Sequence, residues 1–522
     1  MLNTSPSSFL LPSPPPLTHT SPKRRAIVVG AGPVGCLAAL SLANAAWDVE
    51  LYEGRADIRL ASSKTTISQR SINLAISSRG IAALRAVEPS MATRFLETAI
   101  PMRGRMIHHN TGKLESQMYD PHGQCINSIE RGMLNEELLD RAASHPAIRV
   151  FFQHKLTMAD LETKIATFSS VGDQREVKAS FDLCVGADGS YSNVRRQMMR
   201  VVKMDYQQEY ISHEYLELRM PPGPVVDGRP TFLIDPNHLH IWPRHSFMLI
   251  ALPNKDCSFT CTLFAPTADL AVVRTPKEIV SWFGQHFPDA LALIGEEAII
   301  HTLQHNPRSS LISIKANPYH YRDSAVIIGD AAHSMVPFYG QGLNCGLEDV
   351  RILQTILSTR RIDGQRQTTP RGAEVDEQME AALEEYSATR HDDLVAICEL
   401  AMDNYTEMRH DVTTPMYRIH KAIDTVLASF TPSVGFSTLA PMLSRIPYPS
   451  EAPKGWIPLY TMVTFRPDIS YGMARRRAAW QSRCLRIAEW SIIAAVGAFG
   501  AWLLAATPRR HADALMYYFA IW

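Results

Sequence analysis

Residues 26–53 read AIVVGAGPVGCLAALSLANAAWDVELYE, and this stretch is the strongest indication of the fold class of the chain. A short apolar run, Ala26–Val29, leads directly into the glycine pattern GAGPVG of residues 30–35. A helix-like stretch follows, and then a second strand-like run, Val49–Glu53. The order strand, helix, strand predicts a parallel βαβ unit, and in that context a glycine pattern predicts a site for a dinucleotide.

The three glycines have separate roles in this prediction. Gly30 permits a tight turn, Gly32 lets the backbone approach a pyrophosphate, and Gly35 lets helix and strand pack closely. The helix N-terminus offers free N–H groups and a positive dipole end to phosphates. Glu53 closes the second strand, where a carboxylate accepts hydrogen bonds from a ribose 2′-OH, so FAD or NAD is favoured over NADP. The alternative is a glycine turn without a ligand.

Two later stretches distinguish FAD from NAD. Residues 183–195 (LCVGADGSYSNVR) are a buried strand that runs into an Asp-Gly turn. Residues 326–349 (VIIGDAAHSMVPFYGQGLNCGLED) are a strand, an acidic turn, a glycine-rich loop and the start of a helix. Asp330 closes its strand where it could hold a ribityl hydroxyl. The glycines that follow it let the backbone lie close to a flat ring.

These three motifs together resemble the single-component FAD-dependent aromatic hydroxylases, which have no second dinucleotide domain. Finer blocks are similar to the kynurenine 3-monooxygenase family within that class. They are RSINLAISSRG (70–80), PMRGRMIH (101–108), LHIWPR (239–244), FMLIALPN (247–254), NYTEMR (404–409) and PLYTMVTF (458–465). A polar stretch around residues 359–378 and a Pro- and Ser-rich stretch around residues 431–455 look like insertions relative to that family.

The resemblance implies a role for individual residues. It implies that the amino-acid carboxylate of a substrate binds to Arg105 and Tyr119, and that Asn404 and Tyr460 complete the pocket. The residues it assigns to FAD, with the glycines of the phosphate turn, are Gly30, Gly32, Gly35, Glu53, Arg55, Ala75, Arg131, Asp330, Gly342, Leu343 and Asn344.

Arg105 also has a reading that does not depend on the family. Its guanidinium is a flat fork of donors that matches a carboxylate, which lysine cannot copy. It lies in the run Met102–Ile107, whose only other charged residue is Arg103, and a charge among apolar residues needs a partner. The partner is either a substrate carboxylate, as the resemblance implies, or an acidic residue of the protein itself.

The resemblance further implies a reaction. NADPH reduces the bound FAD, O2 adds at flavin C4a, and the resulting hydroperoxide delivers oxygen to L-kynurenine, giving 3-hydroxy-L-kynurenine. The flavin carries this chemistry, so no catalytic side chain and no metal are expected, and His333 is expected to be structural. Two alternatives remain: a related hydroxylase of another aromatic acid, and a flavin-bearing membrane adaptor without turnover.

Composition excludes other classes of protein. The 522 residues suggest two or three domains. Lys plus Arg number 52 and Asp plus Glu number 52, and this zero balance argues against a nucleic-acid-binding protein. The eight cysteines include no CxxC pair, so a zinc ribbon or a disulfide scaffold is not expected.

The two ends of the chain differ. Residues 1–22 are rich in Pro and Ser and carry no charged side chain, so we expect a disordered tail. Residues 490–507 (WSIIAAVGAFGAWLLAAT) carry no charge either, and as a helix they would span roughly 27 Å, close to the thickness of a bilayer core. Arginines flank this run, five before it and Arg509 and Arg510 after it, which keeps the N-terminal part on the cytosolic side.

A membrane anchor is therefore predicted, with a buried helix as the alternative. The resemblance places such an anchor in the mitochondrial outer membrane, with the catalytic part facing the cytosol. The expected fold is α/β: a Rossmann-like FAD-binding domain, interrupted by an antiparallel β-sheet substrate domain, then a C-terminal helical part and a C-terminal transmembrane helix. The expected bounds are 1–22 for the tail, 23–200 with 300–395 for FAD binding (101–124 joining the substrate sheet), 201–299 for the substrate sheet, 396–483 for the helical part and 484–522 for the anchor.

One local prediction concerns the substrate sheet. Residues 247–252 and 258–264 both have strand character, and the second alternates apolar and polar side chains. The turn residues Pro253–Asp256 lie between them. A β-hairpin is therefore predicted, with most of its aromatic side chains in the core.

Overall fold

The computed structural model describes residues 23–60, 73–120, 122–172, 175–365, 375–410, 412, 414–431, 445, 448 and 454–506. The predicted tail, residues 1–22, lies outside this part. Also outside it are residues 366–374 of the first predicted insertion, most of the second insertion, residues 70–72 of the first family block, and Arg509 and Arg510.

Strands and helices alternate in the first part of the chain, and helices dominate the last part. The strands are β1 (Arg25–Val29), β2 (Asp48–Tyr52), β3 (Asn73–Ile76), β4 (Ile100–Met102), β5 (Gly104–His108), β6 (Leu114–Met118), β7 (Ile126–Glu130), β8 (Ile148–Phe151), β9 (His154–Asp160), β10 (Ile165–Ser170), β11 (Glu176–Ser180), β12 (Leu183–Gly186), β13 (Asp205–Met220), β14 (Val225–Val226), β15 (Arg229–Pro230), β16 (His238–Arg244), β17 (Phe247–Pro253), β18 (Phe259–Pro266), β19 (Ser309–Asn317), β20 (His320–Tyr321) and β21 (Ala325–Ile327). The α-helices are α1 (Pro33–Asn44), α2 (Ser78–Val87), α3 (Pro89–Thr98), α4 (Arg131–Ser144), α5 (Asn193–Met198), α6 (Thr267–Val272), α7 (Pro276–His286), α8 (Pro288–Ile294), α9 (Glu296–His305), α10 (Gly342–Thr359), α11 (Glu377–Arg409), α12 (Pro415–Ser429), α13 (Leu459–Phe465) and α14 (Tyr471–Ala506).

A six-stranded sheet forms the centre of the first part, in the order β20-β21-β12-β1-β2-β8. Its strands are parallel except for β20, which runs antiparallel to β21. The strands β1, β12 and β21 are almost entirely buried apolar residues, as expected for strands that are covered on both faces. The predicted βαβ unit is therefore confirmed, with α1 as its helix.

A seven-stranded sheet, ordered β19-β13-β18-β17-β16-β5-β6, forms the second part. The predicted hairpin is confirmed as β17 and β18, which pair antiparallel. The sheet is mixed rather than wholly antiparallel, because β5 pairs parallel to β16. These two strands lie more than a hundred residues apart, and the long intervening chain makes the return that a parallel pair requires.

Buried ion pairs join the three helices α2, α10 and α11. Glu348 of α10 accepts hydrogen bonds from Arg79 of α2 (2.9 Å) and Arg390 of α11 (3.3 Å). Arg390 also donates to Asp349 (2.7 and 2.9 Å), whose other oxygen lies 2.6 Å from His333 Nε2. A buried charge without a partner costs several kcal/mol, so these groups fix the three helices against one another.

His333 therefore has a structural partner. The side chains of His333, Cys345 and Asp349 place potential metal ligands within 4.8 Å of one another. The guanidinium of Arg390 donates to both Asp349 and Cys345 Sγ (3.3 Å), so it already supplies the positive charge at this point.

The last helix, α14, is continuous over 36 residues. Its first part is packed against the protein, with Tyr471 and Ala474 fully buried, whereas nearly all side chains from Arg486 to Leu503 are exposed. Among the described residues, α14 is the one helix that is both long enough and apolar enough to cross a membrane.

Candidate active site

A cavity of about 900 Å³ lies between the two large sheets. One end is formed where β1, β2, β12 and β21 terminate, and the other end is formed by β5, β16–β18 and the helical part. Ligands of doubly wound folds bind at the carboxyl ends of such parallel strands. The cavity therefore has a position suited to a dinucleotide at one end and a smaller molecule at the other.

The glycine turn fits the phosphates of a dinucleotide. Gly30 has φ +102°, and a Cβ there would lie 2.4 Å from the Ala187 carbonyl oxygen. Gly32 faces open space and caps α1, so the first N–H groups of that helix open onto the cavity. A Cβ at Gly35 would meet the Gly30 carbonyl oxygen at 1.9 Å, so Gly35 supports the turn from beneath and does not line the cavity.

Glu53 lies at the end of β2 on the cavity wall. Its carboxylate accepts hydrogen bonds from Ala31 N and from Arg55 N and Nε, each at 2.9 Å. Burial opposes ionisation of Glu53, but the hydrogen bonds and charge of Arg55 outweigh this, and the pKa of Glu53 lies below its usual range. A fixed carboxylate at this strand end suits the hydroxyls of a ribose.

Asp330 projects into the cavity from a 3₁₀ turn, Gly329–Ala331, which begins one residue after the end of β21. Gly329 N donates to Asp349 (2.9 Å), so the buried ion pairs hold this turn in place. Desolvation by the surrounding protein raises the pKa of Asp330, and the positive charges of Arg131 and His333 oppose this shift. Arg131, at the start of α4, lines the same cavity.

The remaining residues predicted to bind the cofactor divide into two groups. Arg55, Ala75, Gly342 and Leu343 lie on the cavity wall. Asn344 is fully buried beside it: its side-chain amide donates to the carbonyls of Ala75 and Gly340 (both 2.8 Å), and its oxygen accepts from Ser77 N (2.9 Å). The Asn344 side chain therefore holds the glycine-rich loop against β3, and it is not turned toward the cavity.

The four residues predicted to bind substrate meet at the far end of the cavity. Arg105 is 5% exposed, and its guanidinium lies 5.2 Å from the ring of Tyr460 and 5.9 Å from that of Tyr119. The two tyrosine rings stack at 4.7 Å, and Tyr339 continues the stack at 5.8 Å from Tyr460. The Tyr119 hydroxyl is buried and has no hydrogen-bond partner of good geometry among the described residues.

Both readings of Arg105 have support in this geometry. Its Nη1 donates to Glu407 Oε1 at 2.8 Å, which is the protein's own ion pair. Its Nη2 lies 3.4 Å from Asn404 Oδ1, and the amide of Asn404 donates to the Phe338 carbonyl (2.7 Å). Arg105 nevertheless lines the cavity, and Glu407 keeps a third of its side chain exposed, so the ion pair leaves the guanidinium accessible from the cavity.

Sequence reasoning did not single out Glu407 or Tyr417. Glu407 follows Asn404 by three residues on α11, a spacing that places both on one face of a helix. That helical spacing was the sequence signal that could have placed Glu407 beside Asn404 in the pocket. Tyr417, at the start of α12, donates to Glu407 (3.0 Å), and nothing in the local sequence indicates this contact.

Comparison with known proteins shows the family of this chain. Residues 23–369 match the FAD binding domain family. Kynurenine 3-monooxygenase of Cryptococcus neoformans is 46% identical over 505 residues, covering 93% of this chain and 98% of the relative. The chain belongs to the kynurenine 3-monooxygenase family. The Candida albicans relative is 43% identical, covering 91% and 95% of the two chains, and that of Saccharomyces cerevisiae is 41% identical, covering 88% and 94%.

Solved structures share the fold. Klebsiella pneumoniae HpxO, complexed with FAD and uric acid, has a TM-score of 0.55 at 18% identity, covering 81% of this chain and 96% of that one. The oxygenase of 2-methyl-3-hydroxypyridine-5-carboxylic acid also has a TM-score of 0.55, at 19% identity, covering 76% and 95%. The family match and the cradle described above agree on FAD as the cofactor of this chain.

Proposed function

We propose that this protein hydroxylates L-kynurenine at ring position 3, with NADPH and O2 as co-substrates. The observation that carries the proposal is Arg105, a nearly buried guanidinium that opens onto the same cavity as the dinucleotide cradle. An aromatic amino acid offers a carboxylate to the guanidinium and a ring to the space between the tyrosines and the cradle. The substrate carboxylate would share Arg105 with Glu407.

Four residues would hold the substrate, each in its own way. Arg105 supplies a charge-assisted hydrogen bond, and the buried Tyr119 hydroxyl supplies a second polar contact. Tyr460 stacks against Tyr119 and forms the apolar wall. Asn404 positions Arg105 through its oxygen and is itself anchored by the Phe338 carbonyl. Together they orient the ring and exclude water from it.

FAD would lie along the rest of the cavity. We propose that its phosphates lie at Gly30 and Gly32, its ribose at Glu53 and Arg55, and its ribityl chain at Asp330. Ala75, Arg131, Gly342 and Leu343 would complete the site, with Gly35 and the Asn344 side chain supporting it from behind. Bound FAD supplies the hydride acceptance and the activation of O2 that no side chain provides.

The cellular location is part of the same proposal, and so are the domain bounds stated above, except that β19 (Ser309–Asn317) belongs to the substrate sheet. The apolar part of α14 would anchor the chain in the mitochondrial outer membrane with the catalytic part on the cytosolic side. Its exposed apolar side chains and the arginines before it support an anchor.

The test is NADPH oxidation by the FAD-loaded, detergent-solubilised protein. L-kynurenine should stimulate it, and benzoate, which lacks the amino-acid group, should not. Equal stimulation by both compounds would favour a hydroxylase of another aromatic acid. No stimulation by either compound would contradict the proposal.

A further inference from the structure

The outer face of α12 is apolar and exposed. Ile419 is 53% exposed, Val426 59%, Met416 58%, and Phe430, directly after the helix, 81%. At 100° per residue these four side chains lie within one stripe, with Ile423 between them. Apolar side chains that are scattered over a surface need no explanation, but a stripe on one face of a helix indicates an interaction surface.

The inner face of the same helix accounts for its attachment to the protein. Tyr417 donates to Glu407, Asp424 accepts from the indole of Trp456 (2.8 Å), and Ala428 is buried. These contacts lie on the opposite side of the helix from the apolar stripe. Folding against the catalytic part therefore uses one face of α12 and leaves the other for a different partner.

The position of α12 identifies that partner. His420, on α12, lies 3.3 Å from Glu489, the residue immediately before the uncharged run of α14. This contact therefore holds α12 at the level where the proposed anchor would enter the bilayer. Arg483 and Arg486 lie just before the same point on α14 and suit anionic headgroups.

We propose that the outer face of α12 lies in the membrane interface, as a second lipid contact beside the anchor. This inference rests on the proposed anchor of the preceding section. An amphipathic helix of this type buries its apolar face at the boundary between headgroups and acyl chains. Through Tyr417 and Glu407, the same helix joins the bilayer surface to the wall of the substrate pocket.

Depth-dependent quenching of a fluorophore tests this in the full chain. The half-buried Cys125, Cys257 and Cys484 are first changed to Ser, since the other five cysteines are buried. An environment-sensitive fluorophore is then attached at Val426→Cys, in FAD-loaded protein reconstituted into vesicles of phosphatidylcholine with an anionic phospholipid. A nitroxide near the headgroup end of the acyl chains is the quencher.

Two matched probes give the comparison. Thr425→Cys, on the neighbouring polar face, is also at a solvent-exposed position, and Val496→Cys lies within the uncharged run of the anchor. The proposal predicts that the probes at 426 and 496 lose most of their fluorescence and the probe at 425 keeps it.

Each other outcome overturns the proposal. Quenching at 496 with none at 426 would leave the anchor intact and show that the outer face of α12 does not contact lipid. Energy transfer between probes at 426 that rises with the protein-to-lipid ratio, without lipid quenching, would assign the face to a second copy. Equal quenching at 425 and 426 would show nearness to the membrane without insertion of this face. No quenching at 496 would show that the anchor itself fails.

Discussion

Arg105 is the residue at which substrate recognition depends on a single side chain. A charge-assisted hydrogen bond in a closed pocket is worth roughly 1.5–3 kcal/mol, so Arg105→Ala should weaken L-kynurenine binding on the order of 10- to 150-fold. FAD content should stay normal, because the arginine lies at the far end of the cavity from the phosphate turn. Glu407 keeps a third of its side chain exposed, so water can solvate it in the variant.

The binding comparison needs two controls. Arg105→Lys should recover little, because a point charge cannot reproduce the fork of a guanidinium. An analogue of L-kynurenine without the carboxylate should bind the wild type and Arg105→Ala about equally well. If the variant weakens both ligands by the same factor, or loses its flavin, the ion pair to Glu407 is the sole role of Arg105.

Asp330 permits a separate prediction for the cofactor. Its carboxylate opens onto the cavity from a turn that Asp349 already holds, so its removal should not disturb the fold. Asp330→Ala should purify folded but pale, with little activity regained on adding FAD. Absorbance of the flavin, relative to that of the protein, measures this, and a full yellow complement would show that Asp330 makes no flavin contact.

At the scale of elements, the contact between β5 and β16 makes stability depend on pH. His240 of β16 lies 2.8 Å from His108 of β5, whose other ring nitrogen lies 2.7 Å from Asp289. Burial lowers the pKa of His240 to about 4; the hydrogen bond to the Asp235 carbonyl opposes this shift, and His108 and His238 add to it. The unfolded chain, with a histidine pKa of about 6.5, therefore binds the extra proton first as the pH falls.

The stabilisation from a neutral His240 is thus fully present above about pH 6.5 and is lost as the pH falls toward about 4. The apparent Tm, followed by tryptophan fluorescence, should drop between about pH 7 and about pH 5. It should drop less in His240→Asn, which keeps a polar group but does not titrate there. If the Tm of the wild type and that of His240→Asn fell in parallel with pH, this account of His240 would be contradicted.

Local elements were predictable from sequence, and pairings between distant elements were not. Residues 26–53 carry the whole βαβ unit, because strand, turn glycine and helix are neighbours in the chain. The ion pair of Arg105 joins residues 302 positions apart, and the Asn344 side chain faces β3, 269 positions away. A motif shows that such residues are near a site, but their orientation depends on packing that no short stretch encodes.

At the scale of the whole molecule, α14 belongs to both the protein and the proposed anchor. Among the residues that the structure describes, truncation after Arg483 removes mainly exposed side chains, and it keeps the buried Tyr471 and Ala474. The truncated chain should be released from membranes, and a carbonate wash should remove whatever α12 retains, because that contact would be peripheral. Sedimentation with membranes after the wash would show that residues 490–507 are not the anchor. Activity should fall moderately, since the contact of His420 with Glu489 is lost.

The fate of molecular oxygen shows directly whether this protein hydroxylates L-kynurenine. The full-length, FAD-loaded protein is supplied with NADPH, L-kynurenine and ¹⁸O2, and the product is identified by mass spectrometry and by comparison with authentic 3-hydroxy-L-kynurenine. We expect one ¹⁸O atom in a product hydroxylated at ring position 3, and little product from Arg105→Ala at the same substrate concentration. Consumption of NADPH with only hydrogen peroxide formed, or unchanged L-kynurenine, would contradict the account.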